Sequence, residues 1–143
     1  MSEPRIYTLG YSGWKPDAID QAVRDRHAVL VDVRYKPVSR YFPFHRKSFQ
    51  DRLVEAYKWV GEFGNLNYHL DISQALIADF ETGAKIVEAI LAGGQSVILM
   101  CGCGDLATCH RKIVAERLAQ RTGLPLEHLT PPPRHVELSG LLF

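Results

Sequence analysis

The sequence predicts one α/β domain spanning all 143 residues, a three-layer Rossmann-like sheet that is mostly parallel and carries helices on both faces. Short apolar segments alternate along the chain with segments whose apolar residues recur at helical spacing. Residues 29–33 and 97–100 are nearly continuous apolar runs, which is typical of strands covered on both faces. The alternation favours a parallel sheet because parallel strands need crossover helices between them.

Five strands are predicted from the apolar and β-branched segments. They are expected at residues 6–9, 29–33, 67–70, 97–100 and 126–129. The segment at 67–70 carries the weakest pattern of the five.

Helices are predicted between these strands. Pro16 suits a first helical turn, and the next stripe runs through Phe49, Leu53, Ala56 and Tyr57. A third helix contains the apolar residues of 86–91, and a fourth ends at Gly123. Residues 131–133 are consecutive prolines, predicted to form a stiff spacer before a tail that runs to residue 143.

Composition excludes several classes of protein. The net charge of +1 gives the molecule no global attraction to nucleic acid or to membranes, so any such affinity must be local. No apolar run approaches membrane-spanning length, the N-terminus lacks a signal-peptide pattern, and three cysteines are an odd number for a secreted disulfide framework. We therefore expect a reduced, cytoplasmic protein without a membrane partner.

A binding site is predicted at the carboxyl edge of the sheet, where parallel α/β folds hold their ligands. Each candidate residue follows a predicted strand or opens the helix after one. We expect one pocket lined by Ser12, Arg34, Arg40, Cys101, His110 and Arg111. The hydroxyl and guanidinium groups of Ser12, Arg34, Arg40 and Arg111 suit an anionic small molecule or a nucleotide. For Arg34, a structural ion pair with Asp32 is the alternative.

All three cysteines lie within nine residues, beside a histidine and an arginine. Cys109 is predicted at a helix N-terminus, which favours the thiolate, and His110 beside it is a candidate base. We assign catalytic roles to Cys109, His110 and Cys101, and expect Cys109 to be the most reactive thiol. Alternatives are a core position for Cys101 and a disulfide between Cys103 and Cys109.

We assign no metal and no cofactor from the sequence. The spacing C-x-C-x5-C-H could supply Cys101, Cys103, Cys109 and His110 as ligands, but it lacks the paired C-x-x-C motifs of structural zinc sites. Residues 10–13 are too short for a dinucleotide fingerprint or a P-loop.

The loop at residues 34–47 mixes five basic residues with four aromatic rings and no acid. Cations beside rings suit an anion that carries a base, either a nucleotide or single-stranded nucleic acid. The alternative is that the rings fold back as a hydrophobic cap while the charges are solvated.

Several segments together resemble the bacterial domain-of-unknown-function family 488. They are residues 8–12, 31–34, 37–40 and 68–70, and residues 99–101 together with 109–111. The resemblance covers about residues 6–120 and implies a compact α/β fold in a cytoplasmic prokaryotic protein. It implies no particular activity. Members often carry an acid two positions after the first cysteine, where this chain has Cys103.

Three functions follow as hypotheses. The first is an enzyme acting on a phosphate-bearing or nucleotide-like substrate at the carboxyl edge of the sheet. The second is a module that binds nucleotides or nucleic acid without catalysis. The third is a sulfurtransferase-like sulfur carrier, because Asp-Val-Arg after one strand and a cysteine-led loop after another loosely resemble sulfurtransferases. The oligomeric state does not follow from the sequence.

Overall fold

A computed structural model of the protein describes residues 3–133. Its five strands form one all-parallel sheet, which confirms the predicted fold class. The strands are β1 (Ile6–Gly10), β2 (Ala28–Asp32), β3 (Tyr57–Trp59), β4 (Ser96–Cys101) and β5 (Leu126–His128). Their order across the sheet is β3-β2-β4-β1-β5.

Four α-helices connect the strands: α1 (Pro16–Asp25), α2 (Arg46–Leu53), α3 (Phe80–Ala92) and α4 (His110–Thr122). Pro16 opens α1, where its missing N–H costs no helical hydrogen bond. The Asp79 side chain accepts from the backbone N–H of Thr82 and so caps α3. Gly123 ends α4 in the left-handed conformation, at φ +73°, as predicted.

The sheet is covered on both faces, as the continuous apolar runs predicted. Along β4, Val97, Leu99 and Cys101 point into the core shared with α3 and α4. Ile98 and Met100 point the other way, into the core shared with α1 and α2. Successive side chains of a strand alternate between faces, so a strand buried on both needs apolar residues throughout.

The third strand is not where it was predicted. Tyr57, expected in a helical stripe, begins β3 and pairs with Leu30 of β2. The chain leaves α2 through Val54, whose φ of +54° breaks the helix without a glycine to mark the break. The apolar residues keep helical spacing across that break, so the sequence pattern did not indicate the short strand that follows it.

The segment predicted as a strand at 67–70 is a pair of turns, so that prediction is wrong. The side-chain Oδ1 of Asn65 accepts from the backbone N–H groups of Asn67 and Leu76. Asn65 and Asn67 also accept turn hydrogen bonds from Tyr68 and Leu70 through their carbonyl groups. Hydrogen bonds from backbone groups to a short polar side chain compete with sheet pairing, and in this segment they replace it.

Within residues 3–133, no helix combines the length and the hydropathy needed to cross a membrane. The prolines at 131–133 belong to neither a helix nor a strand. The predicted tail from residue 134 onward lies outside the described residues.

Candidate functional site

A pocket of about 410 Å³ opens at the carboxyl edge of the sheet. It lies where β1 and β4 end side by side, with Gly10 opposite Cys101. The helices that follow these two strands pack on opposite faces of the sheet, which is the arrangement that creates a binding crevice in such folds. The pocket is lined by Tyr11, Arg34, Tyr35, Lys36, Val38, Asn65, Tyr68, Leu70, Ile72, Cys101, Gly102, Cys103, Thr108 and His110.

Arg34 reaches this pocket but is held by Asp32, as the ion-pair alternative predicted. Its Nε donates to Asp32 Oδ1 at 2.8 Å, and its Nη2 donates to Oδ2 at 2.6 Å. Its Nη1 donates to the Phe44 carbonyl at 2.8 Å, and Tyr57 donates its hydroxyl to Asp32. Most donors of the guanidinium are therefore occupied, and its charge is neutralised next to the pocket.

The same contacts fix the charge states of this network. Burial alone would lower the pKa of Arg34, but the hydrogen bonds and charge of Asp32 outweigh it and raise that pKa. Burial, reinforced by the negative charge of Asp32, raises the pKa of Tyr57. Arg34 therefore stays charged and Tyr57 stays neutral at physiological pH.

His110 lines the pocket in its neutral form. Its Nε2 lies 2.8 Å from the Val33 carbonyl oxygen, which can only accept, so Nε2 carries the proton. Burial lowers the pKa of His110, and the nearby Arg111 charge adds to the effect. With Nε2 protonated, Nδ1 is the ring nitrogen with a free lone pair.

The neutral state of His110 predicts a pH dependence of stability. Because burial lowers its pKa in the folded protein, the unfolded chain binds a proton below about pH 6.5 that the folded protein does not. Stability should therefore be complete above that pH and fall as the pH decreases, by up to about 1.4 kcal/mol per pH unit for this proton. Urea unfolding across this range measures the slope.

The control is His110→Gln, whose amide nitrogen takes the position of Nε2 and can still donate to the Val33 carbonyl. Its slope should be smaller by one proton, while His128, whose pKa is also lowered by burial, retains its own contribution. Equal slopes in both proteins would show that His110 is not the titrating group.

The segment from Cys101 to Cys109, which we call the cysteine loop, differs from its prediction. Cys109 is 1% exposed and forms a disulfide with Cys101, so it is neither the accessible thiol nor the partner of Cys103. Cys103 is the free and exposed cysteine of the three. Although Cys109 directly precedes α4 as expected, its side chain points into the core. All three sulfur atoms lie within 4.8 Å of one another.

Arg111 lies behind the pocket rather than in its lining. It is 3% exposed, and its Nη1 donates to the Cys103 carbonyl at 2.8 Å and contacts Cys101 Sγ at 3.4 Å. Its Nε donates to the Thr8 hydroxyl at 3.3 Å. The guanidinium therefore holds the cysteine loop against β1, and burial lowers the pKa of Arg111. The prediction that it lines the pocket is wrong.

Ser12 and Arg40 also lie outside the lining. Both are exposed, and Ser12 lies against Gly104 of the cysteine loop. Three of the six residues predicted to line one pocket do so: Arg34, Cys101 and His110.

Each of the two interpretations of the loop at 34–47 fits part of that loop. Phe44 is buried against Tyr11 and Phe49, as a hydrophobic cap would be. Tyr41 and Phe42 remain 55% and 60% exposed. Lys36 from the same loop lies in the pocket, with its Nζ 5.5 Å from the ring centre of Tyr68.

Sequence reasoning missed the contribution of the turns at 65–72 to the pocket. Asn65, Tyr68, Leu70 and Ile72 all line it. The pattern Asn-x-Asn before a polar stretch was the available signal, because asparagine side chains favour turns over strands.

Residues 16–118 match the model of one protein family, described as domain of unknown function DUF488. No curated protein and no solved structure matches the chain. The family match covers more than half of the sequence, including every residue of the pocket except Tyr11. On this match, the chain belongs to the DUF488 family.

Proposed function

We propose that this protein is an enzyme acting on a small phosphate-bearing or nucleotide-like molecule held in the pocket. One observation carries the proposal: a pocket of about 410 Å³ at the carboxyl edge of the sheet combines three tyrosines and a lysine with a neutral histidine and cysteines. Pockets of this size hold small molecules, and perturbed titratable groups in a cleft are typical of active sites.

The binding part of the site consists of rings and one exposed cation. Tyr11, Tyr35 and Tyr68 can stack on a planar base, since stacking tolerates any aromatic partner. The exposed ammonium group of Lys36 is available to a phosphate group. Arg34 supports binding indirectly, because it anchors the loop through the carbonyl of Phe44.

The reacting groups are the histidine and the cysteine loop. His110 is neutral and keeps one ring nitrogen as a base, which is the state required for general base catalysis near pH 7. Cys101 and Cys103 border the pocket, and Cys109 is bonded to Cys101.

Adenosine 5′-monophosphate is a suitable probe of this proposal. In calorimetry, Lys36→Gln should weaken its binding by about 1.5–3 kcal/mol, the range for hydrogen bonds to charged groups. The matched control is Lys47→Gln, since Lys47 is exposed on α2 and paired with Asp51 outside the pocket lining. Incubation with mixed nucleoside phosphates, followed by mass spectrometry, should show turnover that His110→Asn removes.

A second candidate function is binding of single-stranded nucleic acid without catalysis. It is favoured by Tyr41 and Phe42, two exposed rings that follow Arg40 directly. Salt-dependent binding of oligothymidylate that Phe42→Ala weakens and Lys36→Gln leaves unchanged, with no turnover of any nucleoside phosphate, would replace the proposed enzyme by this module.

A further inference from the structure

The three sulfur atoms of the cysteine loop have the spacing of a metal-ligand set. Cys101 ends β4, Cys103 lies in the following turn, and Cys109 directly precedes α4. All three sulfurs lie within 4.8 Å of one another. Tetrahedral zinc with Zn–S bonds of about 2.3 Å separates its sulfurs by about 3.8 Å. Small side-chain rotations would therefore bring the three thiolates to one ion.

The charge of Arg111 supports an anionic group at the same place. Its side chain is buried, and among residues 3–133 no carboxylate lies within ion-pair distance of it. Its Nη1 instead faces Cys101 Sγ and the Cys103 carbonyl. A buried guanidinium is costly unless negative charge lies close to it. Three thiolates and one divalent cation carry a net charge of −1, which would lie closer to Arg111 than any carboxylate of these residues does and would add to the negative charge of Asp105.

The backbone spacing of Cys101 and Cys109 suits separate ligands better than a disulfide. The Cα atoms of Cys101 and Cys109 are 7.6 Å apart, beyond the roughly 4.4–6.8 Å usual for disulfides. Two cysteines at this separation can both reach an ion placed between them. His110 lies outside the sulfur cluster, because neither of its ring nitrogens is within 4.8 Å of all three sulfurs.

We propose that Cys101, Cys103 and Cys109 of the reduced protein bind one thiophilic divalent metal ion of the zinc class. The fourth coordination position opens to the pocket, because Cys101, Gly102 and Cys103 all line it. Three protein ligands with an open position are typical of catalytic zinc, whereas structural zinc sites have four protein ligands. This inference rests on the sulfur cluster and does not depend on the proposed substrate.

The metal site would form in two steps, reduction of the disulfide and then binding of the ion. A thiol or phosphine reductant supplies two electrons, two protons are taken up, and the Cys101–Cys109 disulfide becomes two thiols. Binding of the divalent ion then forms three metal–sulfur bonds and releases three protons. Metal binding should accordingly be lost on oxidation and weaken as the pH falls.

Cobalt(II) is the probe for this proposal. The full chain, reduced with a phosphine and freed of metal, is titrated with Co²⁺ and then with competing Zn²⁺. We expect one ion per chain, sulfur-to-cobalt charge-transfer absorption and the intense visible bands of four-coordinate cobalt. Cys103→Ser should weaken binding by more than about 100-fold, beyond the 10–100-fold typical of losing an outer hydrogen bond to a ligand.

Two controls keep the test decisive. Cys103 is exposed, so Cys103→Ser should fold, and its circular dichroism is compared with that of the natural sequence. Ala107→Ser changes an exposed residue of the same loop and should bind Co²⁺ normally. Absent charge-transfer bands, or equal affinity in Cys103→Ser, would overturn the proposal. Neither result involves a nucleotide, so the proposed function would be judged separately.

Discussion

Asp32→Asn is expected to lower the free energy of unfolding by about 3–5 kcal/mol, the cost of breaking a buried ion pair. Asp32 is fully buried and accepts from the Arg34 backbone N–H, from Arg34 Nε and Nη2, and from the Tyr57 hydroxyl. The amide removes the negative charge and leaves the Arg34 cation buried without compensation. Urea unfolding followed by circular dichroism measures the loss.

Glu116→Gln is the matched control, because it makes the same change of carboxylate to amide in the exposed pair with Lys112. Such pairs contribute about 0.5 kcal/mol or less. Similar losses in the two variants would show that the Asp32 network does not stabilise the fold. Tyr57→Phe should lie between them, at about 1.5–3 kcal/mol for one buried hydrogen bond to a charged group.

This network also changes what Arg34→Ala should do. The sequence placed Arg34 among the anion-binding residues of a pocket, and removal of such a residue would weaken anion binding more than it weakens the fold. Because Arg34 is 7% exposed and paired with Asp32, its loss should reduce stability and binding together. Lys36 is the residue whose removal separates the two effects.

Gly10→Ala is the second substitution with a large expected effect. A Cβ at Gly10 would lie 1.5 Å from the Cys103 carbonyl oxygen and 2.7 Å from Arg111 Nη1. The cysteine loop would have to move away from β1 and would lose its hydrogen bond from Arg111. We expect a destabilisation of about 3 kcal/mol or more, because backbone atoms cannot yield as a flexible side chain can.

The control lies in the same loop. Gly104→Ala places its Cβ 3.4 Å from the Ser12 Cβ, an ordinary contact, and should cost about 0.5 kcal/mol or less. Thermal melts and the rate of thiol labelling should both separate the two variants. A Gly10→Ala protein with unchanged melting temperature and labelling would show that the loop does not rest on β1.

Four strands followed from the sequence: β1, β2 and β4 are largely buried runs with a clear end, and β5 is a short, partly exposed one. Val29 to Val33 and Val97 to Met100 could be assigned because both sheet faces are covered. The strand that begins at Tyr57 was not predicted, because the position of Tyr57 depends on its tertiary hydrogen bond to Asp32 and no glycine marks the break at Val54. The turns at Asn65 were not predicted, because hydrogen bonds from backbone N–H groups to a side chain leave no periodic pattern in the sequence.

The site was predictable in position more than in detail. Residues that follow adjacent parallel strands must meet, which places Arg34, Cys101 and His110 together. Side-chain direction depends on packing, and the sequence does not encode it by spacing alone. Cys109 therefore points into the core instead of the cleft, and Arg111 supports the loop instead of an anion.

The most direct test of the proposed binding site is to map where a nucleotide binds. Amide resonances of the reduced, isotope-labelled full chain are followed by nuclear magnetic resonance as adenosine 5′-monophosphate is added. We expect saturable shifts confined to the pocket, at Tyr11, Lys36, Tyr68, Gly102 and His110. Shifts centred on Tyr41 and Phe42 with the pocket unchanged, or no shifts at all, would contradict it.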